Sequence, residues 1–226
     1  MLGAVIFDFD GVITDTEVLH LRSFNKVLEQ YNIEIPLRKY YKDYLGYSDI
    51  DCLKAVSKRY KLGFNEDKIY ELIHEKSQIF EEIAKTESKI IDGVSEFLSM
   101  LKRHDVPMAI CSGALLVEIE LILDDADLRS YFEVIVSAEQ VKKGKPDPEG
   151  FLLTLKLLNK KLRRHLQAAD CVIIEDSHWG LDAAKAAGMP TVAVTNSYDA
   201  EDLKQADIVV SKLNEISLDD LKQLCE

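Results

Sequence analysis

The chain has 226 residues, of which 47% are hydrophobic, a composition typical of an ordinary globular protein with a sizeable core. A formal net charge of −12 and a pI near 4.9 argue against nucleic-acid and anionic-membrane partners, because a phosphate backbone would be repelled. No apolar run reaches the roughly 18 to 20 residues of a membrane span, and no signal peptide is visible.

The first predicted element is a strand buried on both faces. Gly3–Phe7 is a continuous apolar run, as such strands are. It ends in Asp8 and Asp10, two carboxylates spaced one residue apart. In an extended segment these side chains point to the same side and repel each other unless a positive charge lies between them.

A helical segment follows this strand. Residues 17–87 are rich in Tyr, Lys and Glu, show apolar residues at helical spacing and contain no strand-like run. We predict a helical cap domain at 17–87, inserted into an α/β core domain formed by residues 1–16 and 88–226.

After residue 90, short apolar runs alternate with helical periodicity. This order predicts βαβ units and a parallel sheet covered on both faces, a Rossmann-like three-layer αβα fold of the α/β class. The predicted strands are 107–111, 133–136, 171–175, 191–194 and 207–210, and the predicted helices are 94–103, 115–123, 148–158, 179–187 and 218–225.

Polar residues follow the first four strands in chain order. Ligands bind outside the carboxyl ends of open parallel sheets, so these residues are candidates for one common site. Four carboxylates converging there require a cation, and an all-oxygen ligand set favours Mg²⁺. The candidates are Asp8 and Asp10, Ser112 and Gly113, Lys145, and Glu175 with Asp176.

This set suits phosphoryl transfer. A carboxylate beside Mg²⁺ can attack phosphorus, and a second aspartate can protonate the leaving oxygen and later activate water. Lys145 and Ser112 would hold the equatorial oxygens of the phosphoryl group. Taken singly, each motif also fits a turn, a helix start or a helix cap.

Four stretches resemble the haloacid-dehalogenase-like superfamily, in the branch that contains β-phosphoglucomutase and phosphoglycolate phosphatase. They read FDFDGVITDTE, CSGA, GKPDPEGF and EDSHWGLDAAKAAGM. The resemblance implies Asp8 as nucleophile and Asp10 as acid/base, with Ser112 and Lys145 binding the phosphoryl group. It also implies Mg²⁺ held by Asp8, the Asp10 carbonyl and Asp176, with Glu175 nearby, and a cap whose hinges lie near residues 14–17 and 87–92.

Phosphatase and mutase remain alternatives. The opening DGVITDTEVLH, with His20, looks like the mutase branch, but mutases carry an arginine at the fourth position of a Gly-x-Ser-Arg stretch. Here the stretch is Gly46-Tyr47-Ser48-Asp49, and an acid there would repel a second phosphate. Lys76 could compensate from the cap. Hydrolysis of a small phosphorylated metabolite is therefore the favoured interpretation, and a non-enzymatic binding protein is a third one.

The cap residues have structural interpretations as well. His20 is either an ordinary helix residue near the hinge or a hydrogen-bond partner that positions Asp10 or steadies the closed cap. The tyrosines between Tyr40 and Tyr47, around Gly46, either line a substrate loop or cover the cap core. Trp179 is expected to pack at the start of its helix.

The cysteines and the basic run have plain interpretations. Cys111 and Cys171 lie in apolar runs and no C-x-x-C pair occurs, which predicts buried thiols and a reduced compartment. Residues 160–165 are predicted to be a solvated helix end or loop. We expect a cytoplasmic protein, and a monomer because relatives in the branch often are.

Overall fold

The computed structural model describes residues 1–226 and divides the chain into two compact units. Met1–Asp15 joins Ile90–Glu226 in one of them, which we call the sheet unit. Thr16–Lys89 forms the other, which we call the helical unit. One continuous stretch of chain therefore builds the helical unit, whereas the sheet unit is assembled from two separate stretches.

The sheet has six parallel strands in the order β3-β2-β1-β4-β5-β6. β1 is central, and its residues are fully buried, as expected for an apolar run with no polar alternation. The strands are β1 (Ala4–Phe7), β2 (Met108–Cys111), β3 (Phe132–Val136), β4 (Cys171–Glu175), β5 (Thr191–Val194) and β6 (Ile208–Val210).

Nine α-helices are numbered along the chain. They are α1 (Glu17–Leu28), α2 (Leu37–Asp43), α3 (Asp49–Tyr60), α4 (Glu66–Glu87), α5 (Val94–Arg103), α6 (Leu116–Asp125), α7 (Glu149–Leu162), α8 (His178–Ala186) and α9 (Leu218–Gln223). No helix is long and apolar enough to cross a membrane.

Helices alternate with strands throughout the later part of the sheet unit. α7 packs against β2 and β3, while α8 packs against β4 and β5. One apolar cluster joins strand residues such as Ile6 and Ile173 to helix residues such as Phe151 and Ala184. The prediction of a three-layer, Rossmann-like α/β fold is confirmed.

The helical unit contains α1 to α4 and no strand. α4 packs against α1 and α3, and the residues facing inward are apolar, for example Phe24, Leu53 and Leu72. Side-chain caps fix the starts of two of the helices: the Ser48 oxygen accepts from the Asp51 N–H, and the Asn65 oxygen accepts from the Lys68 N–H. This unit is therefore an all-α element held by its own apolar core.

Helix ends differ from the predicted ones by a few residues. α7 was predicted to end at Leu158 but continues to Leu162, where Arg163 takes a left-handed conformation. The half-buried Leu162 continues the apolar spacing from Leu158, but the polar residues 159–161 between them interrupt the pattern on which the prediction rested. The exposed basic run at the end of α7 and the buried Cys111 and Cys171 are confirmed.

Candidate active site

The chain turns sharply at the end of β1. The Asp8 N–H donates to the Ile174 carbonyl at 2.9 Å, so Asp8 still belongs to the sheet edge. Beyond it, the Phe9 carbonyl accepts from the N–H groups of Val12, Ile13 and Thr14, and Gly11 has φ +76°. The extended geometry expected for both aspartates therefore ends at Asp8, and Asp10 lies in a turn.

Lys145 lies between two carboxylates at this edge. Its Nζ is 2.7 Å from Asp8 Oδ1 and 2.5 Å from Glu175 Oε1. The loop that carries it is fastened by Glu149, whose carboxylate accepts from the backbone N–H groups of Lys142 and Lys143. The sequence prediction that residues following β1, β3 and β4 meet at one edge thus describes a real contact.

The charges of this group are unbalanced. Burial raises the pKa of Asp8 to about 7, with Lys145 lowering it and Glu175 raising it. Burial acts to lower the pKa of Lys145, but the two carboxylates outweigh it and the pKa lies above its usual range. Lys145 is therefore a permanent cation, and a single ammonium leaves the surrounding carboxylates with excess negative charge.

Glu175 is fully buried and held from several sides. Its Oε2 accepts from the Asp176 N–H, the Ser177 N–H and the Ser177 hydroxyl, at 2.9 to 3.1 Å. A Cβ on Gly180 would lie 1.8 Å from Oε1, so a glycine is needed for the carboxylate to fit. With Lys145 on Oε1, Glu175 fixes the orientation of the ammonium toward Asp8.

Three buried carboxylates could hold a metal ion. One oxygen from each of Asp8, Glu175 and Asp176 lies within 4.8 Å of the others. All donors are oxygens and the set carries excess negative charge, which fits a hard divalent cation such as Mg²⁺. The Asp10 carboxylate is not part of this group.

Ser112 and Gly113 follow β2, the strand paired with β1. Ser112 is buried; its N–H donates to the Val136 carbonyl and its hydroxyl accepts from the Ala114 N–H at 3.0 Å. A Cβ on Gly113 would meet no atom within 4 Å, so space is open beside it. The hydroxyl and this space lie at the same sheet edge as Asp8.

Two residues after β5 were missed by the sequence reasoning. The Asn196 side-chain amide donates to the Gly11 carbonyl at 2.7 Å, and the Ser197 hydroxyl donates to Asp176 Oδ2. The rule applied to the first four strands would have found them, since the polar stretch Thr195-Asn196-Ser197 directly follows the apolar strand.

Gly11→Ala is expected to damage the site. A Cβ there would lie 1.8 Å from Asp176 Oδ2, and the positive φ of Gly11 costs an alanine roughly 1–2 kcal/mol. We expect a lower unfolding free energy by at least about that amount and loss of metal affinity, measured by urea titration and calorimetry. Gly144→Ala is the control, because a Cβ at Gly144 meets nothing within 4 Å. Equal stability of both variants would contradict the prediction.

The predicted cap residues lie in the helical unit. Gly46 has φ +79° and precedes Tyr47, a residue that is 43% exposed. Tyr40 and Tyr44 are buried, and the Tyr40 hydroxyl donates to Glu17 Oε2 at 2.9 Å. Tyr40 and Tyr44 therefore belong to the core of this unit, whereas Tyr47, next to Gly46, is the one exposed residue among the four tyrosines from Tyr40 to Tyr47.

A buried ammonium occupies the interior of the helical unit. Lys76 is fully buried, with Nζ 2.8 Å from His20 Nδ1 and 3.0 Å from Asp49 Oδ2. Since an ammonium only donates, a hydrogen bond between the two groups has Nδ1 as the acceptor. The His20 ring stacks on the Phe80 ring, with 4.3 Å between their centroids. Lys76 Nζ lies 4.8 Å from the centroid of the Phe80 ring. Asp49 thus neutralises Lys76 by charge, without a well-directed hydrogen bond to Oδ2.

Lys76→Met should destabilise the helical unit. The change leaves the nearly buried Asp49 carboxylate unpaired, which costs about 3–5 kcal/mol for a buried pair broken on one side. Faster amide hydrogen exchange in α1 and α4 is the expected result. The double variant Lys76→Met, Asp49→Asn removes both charges and should recover much of the protection. Wild-type exchange rates in the single variant would show that the pair contributes nothing.

Comparison with known proteins agrees with this geometry. The family described as haloacid dehalogenase-like hydrolase matches residues 5–194. A phosphorylated carbohydrates phosphatase from Thermotoga maritima is 32% identical over 230 residues, covering 99% of this chain and 100% of that protein. A β-phosphoglucomutase from Bacillus subtilis is 30% identical over 230 residues, covering 96% and 93%.

A solved structure shows the same similarity in three dimensions. β-Phosphoglucomutase from Clostridium difficile superimposes with a TM-score of 0.86 at 27% identity, covering 100% of this chain and 97% of that one. The family match spans most of the chain, including β1 to β5, and the acidic residues around Lys145 lie within it. The chain belongs to the haloacid dehalogenase-like hydrolase family.

Proposed function

We propose that the chain is a Mg²⁺-dependent phosphatase that hydrolyses a small phosphorylated metabolite of the sugar-phosphate or phosphoglycolate type through an aspartyl-phosphate. The observation that carries the proposal is the meeting of Asp8, Lys145, Glu175 and Asp176 at the sheet edge. The relatives support it, because the Thermotoga maritima protein is named a phosphatase of phosphorylated carbohydrates.

Asp8 is the nucleophile in this proposal. One of its carboxylate oxygens forms a bond to phosphorus while the bond from phosphorus to the leaving oxygen breaks. Asp10 donates a proton to that oxygen, and later takes one from the water that hydrolyses the aspartyl-phosphate. The attack of that water on phosphorus breaks the bond to Asp8, so Asp8 returns as a carboxylate, Asp10 returns as a carboxylic acid, and phosphate is the second product.

Lys145 and Ser112 stabilise the transferred group. Lys145 is a permanent cation 2.7 Å from Asp8, so it lies beside any phosphoryl group that this carboxylate attacks. The Ser112 hydroxyl, at the end of the neighbouring strand, can donate to another phosphoryl oxygen. When bound by Asp8, the Asp10 carbonyl and Asp176, Mg²⁺ supplies positive charge that offsets the negative charge of the carboxylates and phosphate.

A substrate panel with and without chelator tests the proposal. Purified protein with Mg²⁺ and a set of phosphomonoesters should release inorganic phosphate, EDTA should abolish the release, and excess Mg²⁺ should restore it. Sugar monophosphates and phosphoglycolate should be among the best substrates. Release that is indifferent to EDTA would reject the metal requirement. Inactivity across the panel with tight Mg²⁺ binding would favour the non-enzymatic interpretation.

A β-phosphoglucomutase-like isomerase is the second candidate. The similarity to the Bacillus subtilis and Clostridium difficile mutases over nearly the whole chain favours it. The contact between Asp49 and Lys76 speaks against it, because the cation that could replace the missing arginine is already neutralised. An assay with β-glucose 1-phosphate, primed with the glucose bisphosphate, separates the phosphatase from the mutase. Glucose 6-phosphate would support the mutase, whereas glucose and free phosphate would dismiss it.

A further inference from the structure

We propose that Asn196 and Ser197, the consecutive residues of the loop after β5, are positioning residues for the divalent cation. They hold the Asp176 carboxylate and the backbone beside Asp10 in the arrangement that the ion requires. The inference rests on the proposed Mg²⁺ site and goes beyond it by assigning a role to a fifth strand end.

Ser197 and Gly11 both lie against the Asp176 carboxylate. The Ser197 hydroxyl donates to Asp176 Oδ2, and Asp176 is only 3% exposed. The same oxygen lies so close to Gly11 that a Cβ there would be 1.8 Å from it. The hydroxyl and the bare Gly11 backbone therefore both contact Oδ2, and the rotation of the carboxylate about its last side-chain bond is restricted.

Asn196 contacts the backbone next to Asp10. Its side-chain amide donates to the Gly11 carbonyl at 2.7 Å, and Gly11 directly follows Asp10. β5 is not a neighbour of β1 in the sheet, because β4 lies between them. The backbone ladder thus cannot link these two strand ends, and the Asn196 side chain makes the link.

Restricting these groups before the ion arrives should strengthen binding. An unrestrained carboxylate or loop has to lose its freedom when the metal binds, which weakens affinity. Residues that hydrogen-bond to metal ligands typically change metal affinity about 10- to 100-fold when they are removed. Two adjacent residues of one loop thus hold both acidic strand ends that contribute ligands.

Isothermal titration calorimetry with Mg²⁺ alone tests the proposal on the full chain. Ser197→Ala is expected to bind Mg²⁺ about 10- to 100-fold more weakly than the wild type. Ser197→Thr keeps the hydroxyl and should restore most of the affinity. Asn196→Ala should also weaken Mg²⁺ binding. Because Asn196 is exposed, the urea unfolding midpoint of this variant in EDTA should stay at the wild-type value.

Ser211→Ala is the matched control. The Ser211 hydroxyl also donates to a carboxylate, that of Glu215, on the exposed surface of the same unit, so its loss should leave Mg²⁺ affinity unchanged. Wild-type affinity in both alanine variants, or an equal loss in Ser211→Ala, would overturn the positioning role. If the wild type itself fails to bind Mg²⁺, the proposed metal site fails instead, so the two failures are distinguishable.

Discussion

Asp8→Asn is expected to reduce phosphate release by at least about 10⁴-fold, because an amide cannot form the covalent bond to phosphorus. The folded state should not suffer. Burial and Glu175 raise the pKa of Asp8 to about 7, which means that the folded protein disfavours this negative charge. A neutral amide of the same shape removes that unfavourable charge. Unfolding midpoints in EDTA should therefore stay equal to the wild-type value or rise.

The measurement combines steady-state phosphate release with urea unfolding in EDTA. Asp182→Asn is the control, since it is the same substitution at an exposed position of α8. It should leave both quantities unaltered. Wild-type turnover in Asp8→Asn would reject the aspartyl-phosphate mechanism, and a large loss of stability would contradict the conclusion that this charge is unfavourable.

Lys145→Met should lower both stability and activity. The Lys145 ammonium is the partner of Asp8 and of the fully buried Glu175, so its loss leaves two buried carboxylates without a cation. Breaking a buried ion pair on one side costs about 3–5 kcal/mol of unfolding free energy. Turnover should fall by about 10²- to 10³-fold, as for removal of one group that stabilises the transferred charge.

A double variant separates the two effects of Lys145. Lys145→Met with Glu175→Gln removes one of the unpaired charges, so urea unfolding should recover part of the lost stability. Turnover should stay low, because the phosphoryl group still lacks the ammonium. If both variants unfolded like the wild type, the ion pairs around Lys145 would contribute nothing to the folded state.

The sheet was predictable because four of its six strands, β1, β2, β4 and β5, are buried at every residue. Cys171–Glu175 and Thr191–Val194 were predicted with the bounds that the structure shows, since a continuous apolar run ends where the strand does. Helix ends were less predictable, as α7 shows: three polar residues, 159–161, separate Leu158 from the partly buried Leu162 at which the helix ends. An interruption of the apolar pattern by surface residues therefore hides the end of a helix.

The residues of the site were easier to predict than their contacts. The topological rule placed Asp8, Lys145 and Glu175 at one edge, but it could not show that Lys145 pairs with both carboxylates. The buried Lys76 was equally hidden, because its partners come from α1 and α3 and depend on how the helices pack. Such contacts follow from tertiary structure and leave no periodic signal in the chain.

The central place of β1 in the sheet has a consequence for biosynthesis. β1 is synthesised before the other strands, but its neighbours β2 and β4 begin at Met108 and Cys171. The strand that leads to Asp8 therefore cannot pair on both sides until Cys171–Glu175 has been synthesised. The helical unit is continuous and can fold as soon as it leaves the ribosome. A nascent chain arrested before β4 is therefore expected to hold a folded helical unit and no catalytic centre.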